Sequence, residues 1–306
     1  MKIHILENLG VPDPAIMNLA VDHELTFPSQ SCDKAETEVL ISVKTKLGPV
    51  ELSEYPKLKV IAVAFTGYDS VDLNYCREKN IAVCNVPAYS TNSVAELTVG
   101  LAISLLREIP KGNEAIRKGQ WDLGRPGIEL SGKTVGICGT GTIGIRTAEI
   151  FNVLGCGIIG WSRTRRKEFT DLGGKYVDTL EELCSGSDIL SIHVPSNAET
   201  KALIGQKQLS LIKQSAYLIN TARGPVVDEN ALYEALRDKH IAGAGLDVYS
   251  IEPVTRGNPF LKLDNVILTP HIAFKTEEAL KRRAEITFDN INSFERGNKL
   301  NRVDQC

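Results

Sequence analysis

No two of the seven cysteines (Cys32, Cys76, Cys84, Cys138, Cys156, Cys184 and Cys306) form a C-x-x-C pair, and their number is odd. Such scatter argues against a zinc site and against a secreted disulfide framework, so no metal is expected. Some sit in apolar runs, as Cys138 does in Val135-Gly136-Ile137-Cys138, where a thiol behaves as a small hydrophobe. No apolar run approaches the ~18 residues that cross a bilayer, so no membrane partner is expected. The opening Met1-Lys2-Ile3-His4-Ile5-Leu6 meets Glu7 at once and offers no signal-peptide core, which makes a reducing cytoplasm the expected compartment. Excess charge of either sign is missing too: 35 Lys and Arg against 38 Asp and Glu leave −3. That balance leaves no global footprint for nucleic acid or an anionic membrane.

What is present is an ordinary soluble composition, 42% hydrophobic and 24% charged, over 306 residues. At about 150 residues per domain that length predicts two domains. Short apolar runs alternate with helical patterns. Ile3–Leu6, Val39–Val43, Val60–Ala64 and Ile81–Val86 read as buried strands, with helices at Ala15–Ala20 and Asp72–Lys79. A long amphipathic segment, Asn92–Arg107, places Val94, Leu97, Leu101 and Leu105 at helical spacing. Ser93 and Glu96 fit a capping box at its entry. A polar, glycine-rich stretch follows, Lys111–Gly132, with Trp121 and Arg125-Pro126-Gly127. From Lys133 a second series begins, with strands at Thr134–Cys138, Ile158–Trp161, Ile189–His193, Tyr217–Asn220, Ala242–Asp247 and Val266–Leu268. Helical patterns separate them at Ile143–Leu154, Leu180–Cys184, Gln206–Ile212 and Glu229–Lys239, and a last helix runs from about Thr276 to Glu295. Alternation with near-continuous apolar strands predicts α/β units with parallel sheets covered on both faces.

The strand Thr134–Cys138 runs into Gly139-Thr140-Gly141-Thr142-Ile143-Gly144, a G-x-G-x-x-G at a strand-to-helix junction. Gly139 permits the tight turn, Gly141 lets a pyrophosphate approach the backbone, and Gly144 allows close helix–strand packing, while the first-turn amides at Thr142 and Ile143 face the phosphates. An acid about 20 residues on would bind the ribose hydroxyl of NAD. The position eighteen residues after Gly144 is instead Ser162, followed by Arg163-Thr164-Arg165-Arg166. A hydroxyl followed by guanidinium groups suits a 2′-phosphate, which favours NADP(H) over NAD(H), although NAD(H) remains possible.

Three further segments each follow a strand: Asn220-Thr221-Ala222-Arg223-Gly224, Gly245-Leu246-Asp247-Val248-Tyr249 with Glu252-Pro253, and Thr269-Pro270-His271-Ile272-Ala273. In this order and spacing, together with the glycine turn, they resemble the D-isomer-specific 2-hydroxyacid dehydrogenase family over essentially the whole chain. The resemblance implies two doubly wound parallel-sheet domains: a Rossmann nucleotide-binding domain, residues 98–273, inserted into a flavodoxin-like substrate domain, residues 1–97 and 274–306. It implies an oxidoreductase that reduces a 2-oxo acid to the D-2-hydroxy acid. Arg223 clamps the substrate carboxylate, His271 is the general acid and base, and Glu252 orients the imidazole. Thr221, Ala222, Asp247 and Ala273 border the nicotinamide, and His193 and Pro195, in Ser191-Ile192-His193-Val194-Pro195, line the cofactor pocket. Asp247 is equally readable as a strand-end turn acid.

In the first domain Thr66 and Gly67, within Ala64-Phe65-Thr66-Gly67-Tyr68-Asp69, resemble the turn that receives the substrate carboxylate, and Asp69 or Asp72 fits a helix cap there. Lys44, Phe65, Tyr68 and Tyr89 are candidate pocket walls. Hydroxypyruvate and glyoxylate suit an NADPH reductase. The alternatives are an NAD-dependent D-lactate or phosphoglycerate type of dehydrogenase, or a dinucleotide-sensing, corepressor-like binding protein. The helix after Asn92 and the loop beyond it resemble the family's dimer-forming arm, so a homodimer is expected.

Overall fold

Val and Ile runs with little polar interruption form strands where both sheet faces are covered, and inner strands of both parallel sheets of this chain are built from such runs. The computed structural model describes residues 1–121, 124 and 126–305; Arg125 and Cys306 lie outside the described residues. The chain divides into two compact units, residues 1–90 with 275–306, and residues 91–274.

The first unit carries strands β1 (Lys2–Ile5), β2 (Glu24–Thr26), β3 (Val39–Ser42), β4 (Val60–Val63) and β5 (Ala82–Cys84). They pair in parallel in the order β2-β1-β3-β4-β5, the doubly wound order of flavodoxin-like sheets. Helices Asp13–Leu19, Pro49–Leu52, Leu73–Glu78 and Glu277–Glu295 accompany it, the last burying Leu280, Ala284, Phe288 and Ile291. Strand β2 has no counterpart in the sequence reading. It is a three-residue edge strand whose Glu-Leu-Thr lacks a continuous apolar run. Of the two candidate caps, Asp72 is the one that accepts from Tyr75 N, at 3.0 Å.

The second unit carries β6 (Thr134–Cys138), β7 (Gly157–Trp161), β8 (Lys175–Tyr176), β9 (Ile189–Ile192), β10 (Tyr217–Asn220), β11 (Gly243–Leu246) and β12 (Val266–Leu268). All neighbours pair in parallel, in the order β12-β11-β10-β9-β6-β7-β8. Numbered within the unit this is 3-2-1-4-5-6 with a seventh strand added, the order of a dinucleotide-binding sheet. Alternate residues feed two cores. Val135, Ile137, Ile189, Tyr217 and Ile219 face the helices Thr91–Leu106 and Thr142–Val153, while Leu190, Ile192, Leu218 and Leu246 face Leu180–Gly186, Gln206–Leu211 and Glu229–Arg237.

Two local expectations change. The first long helix begins at Thr91, so Ser93 lies buried inside its first turn and is not the cap; Ser90 and Thr91 supply hydroxyl residues upstream. The stretch after Arg107 is partly helical, Ile109–Arg117, and buries none of its residues, which is why no apolar stripe marked it.

In each sheet the strand order reverses at one point, between β1 and β3 and between β6 and β9, and crevices open there beyond the carboxyl ends. The first unit fills its own crevice. Glu7, just past β1, accepts from the amides of Val43 at 2.6 Å, Lys44 at 2.8 Å and Thr45 at 3.0 Å, just past β3. Burial pushes the Glu7 carboxyl up, but these hydrogen bonds outweigh it and hold the group below its ordinary value. Its stabilisation is therefore present above the ordinary glutamate range and lost as pH falls through the lowered pKa. Glu7→Gln, which sets an amide N–H against those donors, is expected to cost about 1–3 kcal/mol at neutral pH. Urea denaturation of both proteins checks this: the gap narrows in acid below pH ~4, and a gap independent of pH refutes it.

Candidate active site

Three glycines shape the turn after β6, and they are glycine for different reasons. Gly139 has φ +100°, donates to Trp161 O at 2.8 Å, and a Cβ there would lie 2.8 Å from the His193 carbonyl. Gly144 sits so close beneath it that a Cβ would meet Gly139 O at 2.0 Å. Gly141 differs: its φ is −73° and nothing lies within 4 Å of a Cβ built on it. Packing thus explains two glycines, while the third keeps open the space before the N-terminus of the helix Thr142–Val153, where among the described residues no side chain caps the first-turn amides. That open cradle fits a pyrophosphate on a helix N-terminus.

Across the reversal point, β9 delivers His193, whose amide donates to Cys138 O at 2.7 Å. Its Nε2 lies 2.7 Å from Ser191 Oγ, and burial pushes the imidazole down to about 3, so the ring is neutral at physiological pH. Pro195 follows, exposed, with its carbonyl accepting from Thr200 Oγ1 at 2.6 Å. Thr200 is a loop-former that sequence reading did not single out.

The basic loop lies beside the glycine turn because Cys138 and Trp161 are register partners. Ser162 is half-buried, and Arg163, Thr164 and Arg165 are exposed. Arg163 pairs with Glu199 at 2.9 Å and Arg165 with Asp178 at 2.6 Å, the guanidinium side chains being 85% and 56% exposed. Pairs this exposed contribute little and exchange readily for another anion. Arg165 also lies over the Tyr176 ring, 5.4 Å from its centroid. The Tyr176 hydroxyl accepts from Arg166 N at 2.9 Å and is joined to Thr140 Oγ1 at 2.7 Å, tying this loop to the glycine turn. Tyr176 was missed because β8 is only two residues long.

Strands β10, β11 and β12 are neighbours, so the segments beyond them converge on one rim of the sheet. Asn220, 1% exposed, accepts from Ala222 N and donates to Arg223 O, both at 3.0 Å, closing the turn that carries Arg223. Thr98 Oγ1 donates to Val94 O and lies 2.8 Å from Thr221 Oγ1, so Thr221 is the donor to Thr98, anchoring the same turn. Next, Gly224 presses so closely on Tyr249 that a Cβ would lie 2.0 Å from the Tyr249 carbonyl carbon. The Tyr249 amide in turn donates to Glu252 Oε1 at 3.1 Å, and the other oxygen, Oε2, lies 2.6 Å from His271 Nδ1. A carboxylate only accepts, so Nδ1 carries the hydrogen and proton exchange falls to Nε2. Backbone contact and hydrogen bonds therefore link Arg223, Glu252 and His271 in sequence. Asn220 and Tyr249 are members of this assembly that sequence reading quoted without giving them a role; an Asn at a strand end before a turn is the available signal.

Sequence reading offers Asp247 to the nicotinamide or to a turn. In the structure it is fully enclosed, and its carboxylate meets the loop 269–273. Ala273 is buried, and Ala222 half-buried. In the first unit, Thr66 is exposed with its hydroxyl donating to Val86 O at 3.0 Å, and Gly67 is half-buried beside it. Phe65 and Tyr89 pack together, buried, with ring centroids 6.0 Å apart, and Lys44 Nζ lies 5.9 Å from the Phe65 centroid. Among the described residues no cluster of His, Cys, Asp and Glu is arranged to hold a metal, and no helix is long and apolar enough to cross a membrane.

The glycine geometry separates folding from binding. Gly141→Ala is expected to change stability by less than about 0.5 kcal/mol and to weaken dinucleotide binding at least ~10-fold. Gly144→Ala is expected to cost about 1–3 kcal/mol or more in stability. Thermal denaturation with dinucleotide titration checks both, and full binding by the Gly141 variant refutes the cradle.

Residues 99–273 match the model of the D-isomer specific 2-hydroxyacid dehydrogenase, NAD binding domain. A glyoxylate reductase of Korarchaeum cryptofilum is 38% identical over 269 residues, covering 86% of this chain and 81% of that protein. A D-3-phosphoglycerate dehydrogenase of Methanocaldococcus jannaschii is 42% identical over 255 residues, 83% of this chain, and the match spans only 48% of that longer protein. Among solved structures, the NADPH-dependent glyoxylate/hydroxypyruvate reductase of Sinorhizobium meliloti superposes with a TM-score of 0.88 at 30% identity, over 99% of this chain and 97% of that one. The chain belongs to the D-isomer specific 2-hydroxyacid dehydrogenase family of NAD(P)-dependent oxidoreductases.

Proposed function

We propose that this protein reduces a small 2-oxo acid of the hydroxypyruvate or glyoxylate type to the corresponding 2-hydroxy acid, of D configuration where a stereocentre forms, with NADPH as the preferred reductant. The observation that carries this reading is the 2.6 Å contact between His271 Nδ1 and Glu252 Oε2 on the rim that also carries Arg223. A bound reduced nicotinamide supplies the hydride. Arg223 binds the substrate carboxylate with its planar fork of donors and polarises the adjacent carbonyl. His271 delivers a proton from Nε2 to the carbonyl oxygen, and in the reverse direction the same nitrogen takes it back. Glu252 holds the ring by Nδ1, so that it cannot rotate away from the substrate.

The residues fit the cofactor. The backbone of Gly139, Gly141, Thr142, Ile143 and Gly144 would hold the pyrophosphate, and Ser162, Arg163, Thr164 and Arg165 the 2′-phosphate, with Glu199 and Asp178 released from the two arginines. His193, Pro195, Thr221, Ala222 and Ala273 would border the nicotinamide half. In the first unit, taken by itself, Thr66 and Gly67 are the proposed substrate-binding residues. A homodimer is part of this reading, supported by exposed Ile109 and Ile116 on a helix that buries nothing of itself. Light scattering tests it, and a monomeric mass refutes it.

The decisive experiment follows reduced-nicotinamide absorbance with glyoxylate, hydroxypyruvate and pyruvate, each with NADPH and NADH. Higher kcat/KM with NADPH is expected; equal or better use of NADH overturns the 2′-phosphate assignment. Tight dinucleotide binding without turnover of any acid would instead indicate a dinucleotide sensor. His271→Ala is expected to lower kcat by ~10²–10⁴-fold with dinucleotide affinity preserved. Arg223→Lys is expected not to restore what Arg223→Ala loses, because the fork is gone.

A further inference from the structure

We infer that Tyr176 is a positioning residue for the choice of dinucleotide: it fixes Arg165 relative to the glycine turn, so that one molecule can meet both with its 2′-phosphate and its pyrophosphate. The inference rests on the 2′-phosphate role proposed for the loop beyond β7. That loop, residues 162–166, is fastened at each end to adjacent residues of the turn beyond β6. At its start the Gly139 amide donates to Trp161 O at 2.8 Å. At its end the Tyr176 hydroxyl accepts from Arg166 N at 2.9 Å and lies 2.7 Å from Thr140 Oγ1. A phenol oxygen that accepts from an amide still has its own hydrogen to give, so this one group can bridge loop and turn.

The ring adds a second constraint. Arg165 Cζ stands 5.4 Å from the Tyr176 centroid, within the range in which an aromatic face attracts a cation. The ring is itself held in place. Phe169, with no exposed surface, packs against it with centroids 4.8 Å apart and planes at 47°. One residue beyond it, Val177 N donates to Gly160 O at 3.0 Å and ties the chain back to β7. Asp178, two residues on, pairs with Arg165 at 2.6 Å. A 2′-phosphate would have to displace that carboxylate, but it need not displace the ring. The stack is therefore the contact that keeps the guanidinium in position while one anion replaces another. A long, half-exposed side chain otherwise gives up its rotamer freedom only when the ligand arrives, which weakens binding. NADH lacks the group that Arg165 would meet, so Tyr176, acting through Arg165, favours NADPH.

Tyr176→Phe keeps the ring and removes the hydroxyl, and Tyr176→Leu removes both. Calorimetric titration of each purified protein with NADPH and with NADH, without any 2-oxo acid, reads the effect. Phenylalanine is expected to raise Kd for NADPH ~2–5-fold and leucine ~5–20-fold, with Kd for NADH changed by no more than about twofold. Arg165→Ala is expected to weaken NADPH as well. The double variant Arg165→Ala with Tyr176→Leu is expected to bind NADPH at least ~3-fold tighter than the two single losses multiplied together. Equal losses for NADPH and NADH mark a merely structural tyrosine and overturn the inference, as do fully multiplicative losses in the double variant. Should Tyr176→Leu not fold, Tyr176→Phe still decides: a loss confined to NADPH supports the inference, and a loss shared equally by NADH overturns it. A loss in Arg165→Ala that neither Tyr176 variant shares overturns the inference and leaves the 2′-phosphate reading standing. Unchanged NADPH binding in Arg165→Ala removes that reading and the inference with it.

Discussion

Parallel pairing imposes one condition on everything else in this chain. Each connection has to travel back over a sheet face before the next strand begins, so all strands of a sheet deliver their carboxyl ends to the same rim. Short turns beyond those ends are where chemistry can be placed, and they are also where amides lose their sheet partners. Both units answer the second problem with a carboxylate. In the first, Glu7 crosses from β1 to take the amides beyond β3. In the second, Asp247 takes the amides beyond β12. The turn beyond β6 is left open: among the described residues no side chain caps its first-turn amides, and its middle glycine faces space. The same backbone need is thus met from inside at two places and held in reserve for a ligand at a third.

The candidate catalytic rim shows how little of its precision comes from the three residues that would meet substrate. Asn220 closes the Arg223 turn, Gly224 lets that turn rest on Tyr249, the Tyr249 amide fixes one oxygen of Glu252, and the other oxygen meets His271. Every link is backbone, the Asn220 carboxamide or the Glu252 carboxylate, with few rotatable bonds between one functional group and the next. Geometry held this way needs little reorganisation when charge develops.

Legibility in the sequence followed the range of the interaction. The strands with continuous Val and Ile runs, the glycine turn and the three strand-end segments were readable because each is a local pattern. Strands β2 and β8 were not, since a two- or three-residue edge strand carries no run, and with β8 went Tyr176 and its link to Thr140. Glu7 and Thr269 escaped notice because their partners are set by folding: Glu7 meets residues some 36 to 38 positions away, and the Thr269 hydroxyl meets Asp247 across two strands. Asp247 was read toward a ligand or a turn, and its burial and its donors add that its carboxylate meets the segment 269–273.

The exposed pairs on the loop beyond β7 have a consequence of their own. Arg163 and Arg165 come with counterions, Glu199 and Asp178, supplied by the protein itself. A bare pair of guanidinium groups would attract any polyanion in the surroundings, nucleic acid included, whereas each of these two charges is offset by its own acid. On the cofactor reading proposed above, a phosphate would reach these arginines at close range by displacing the two acids one by one. On that reading, local neutrality would act as a filter against other anions, achieved by two carboxylates that never need to touch the molecule they help to select.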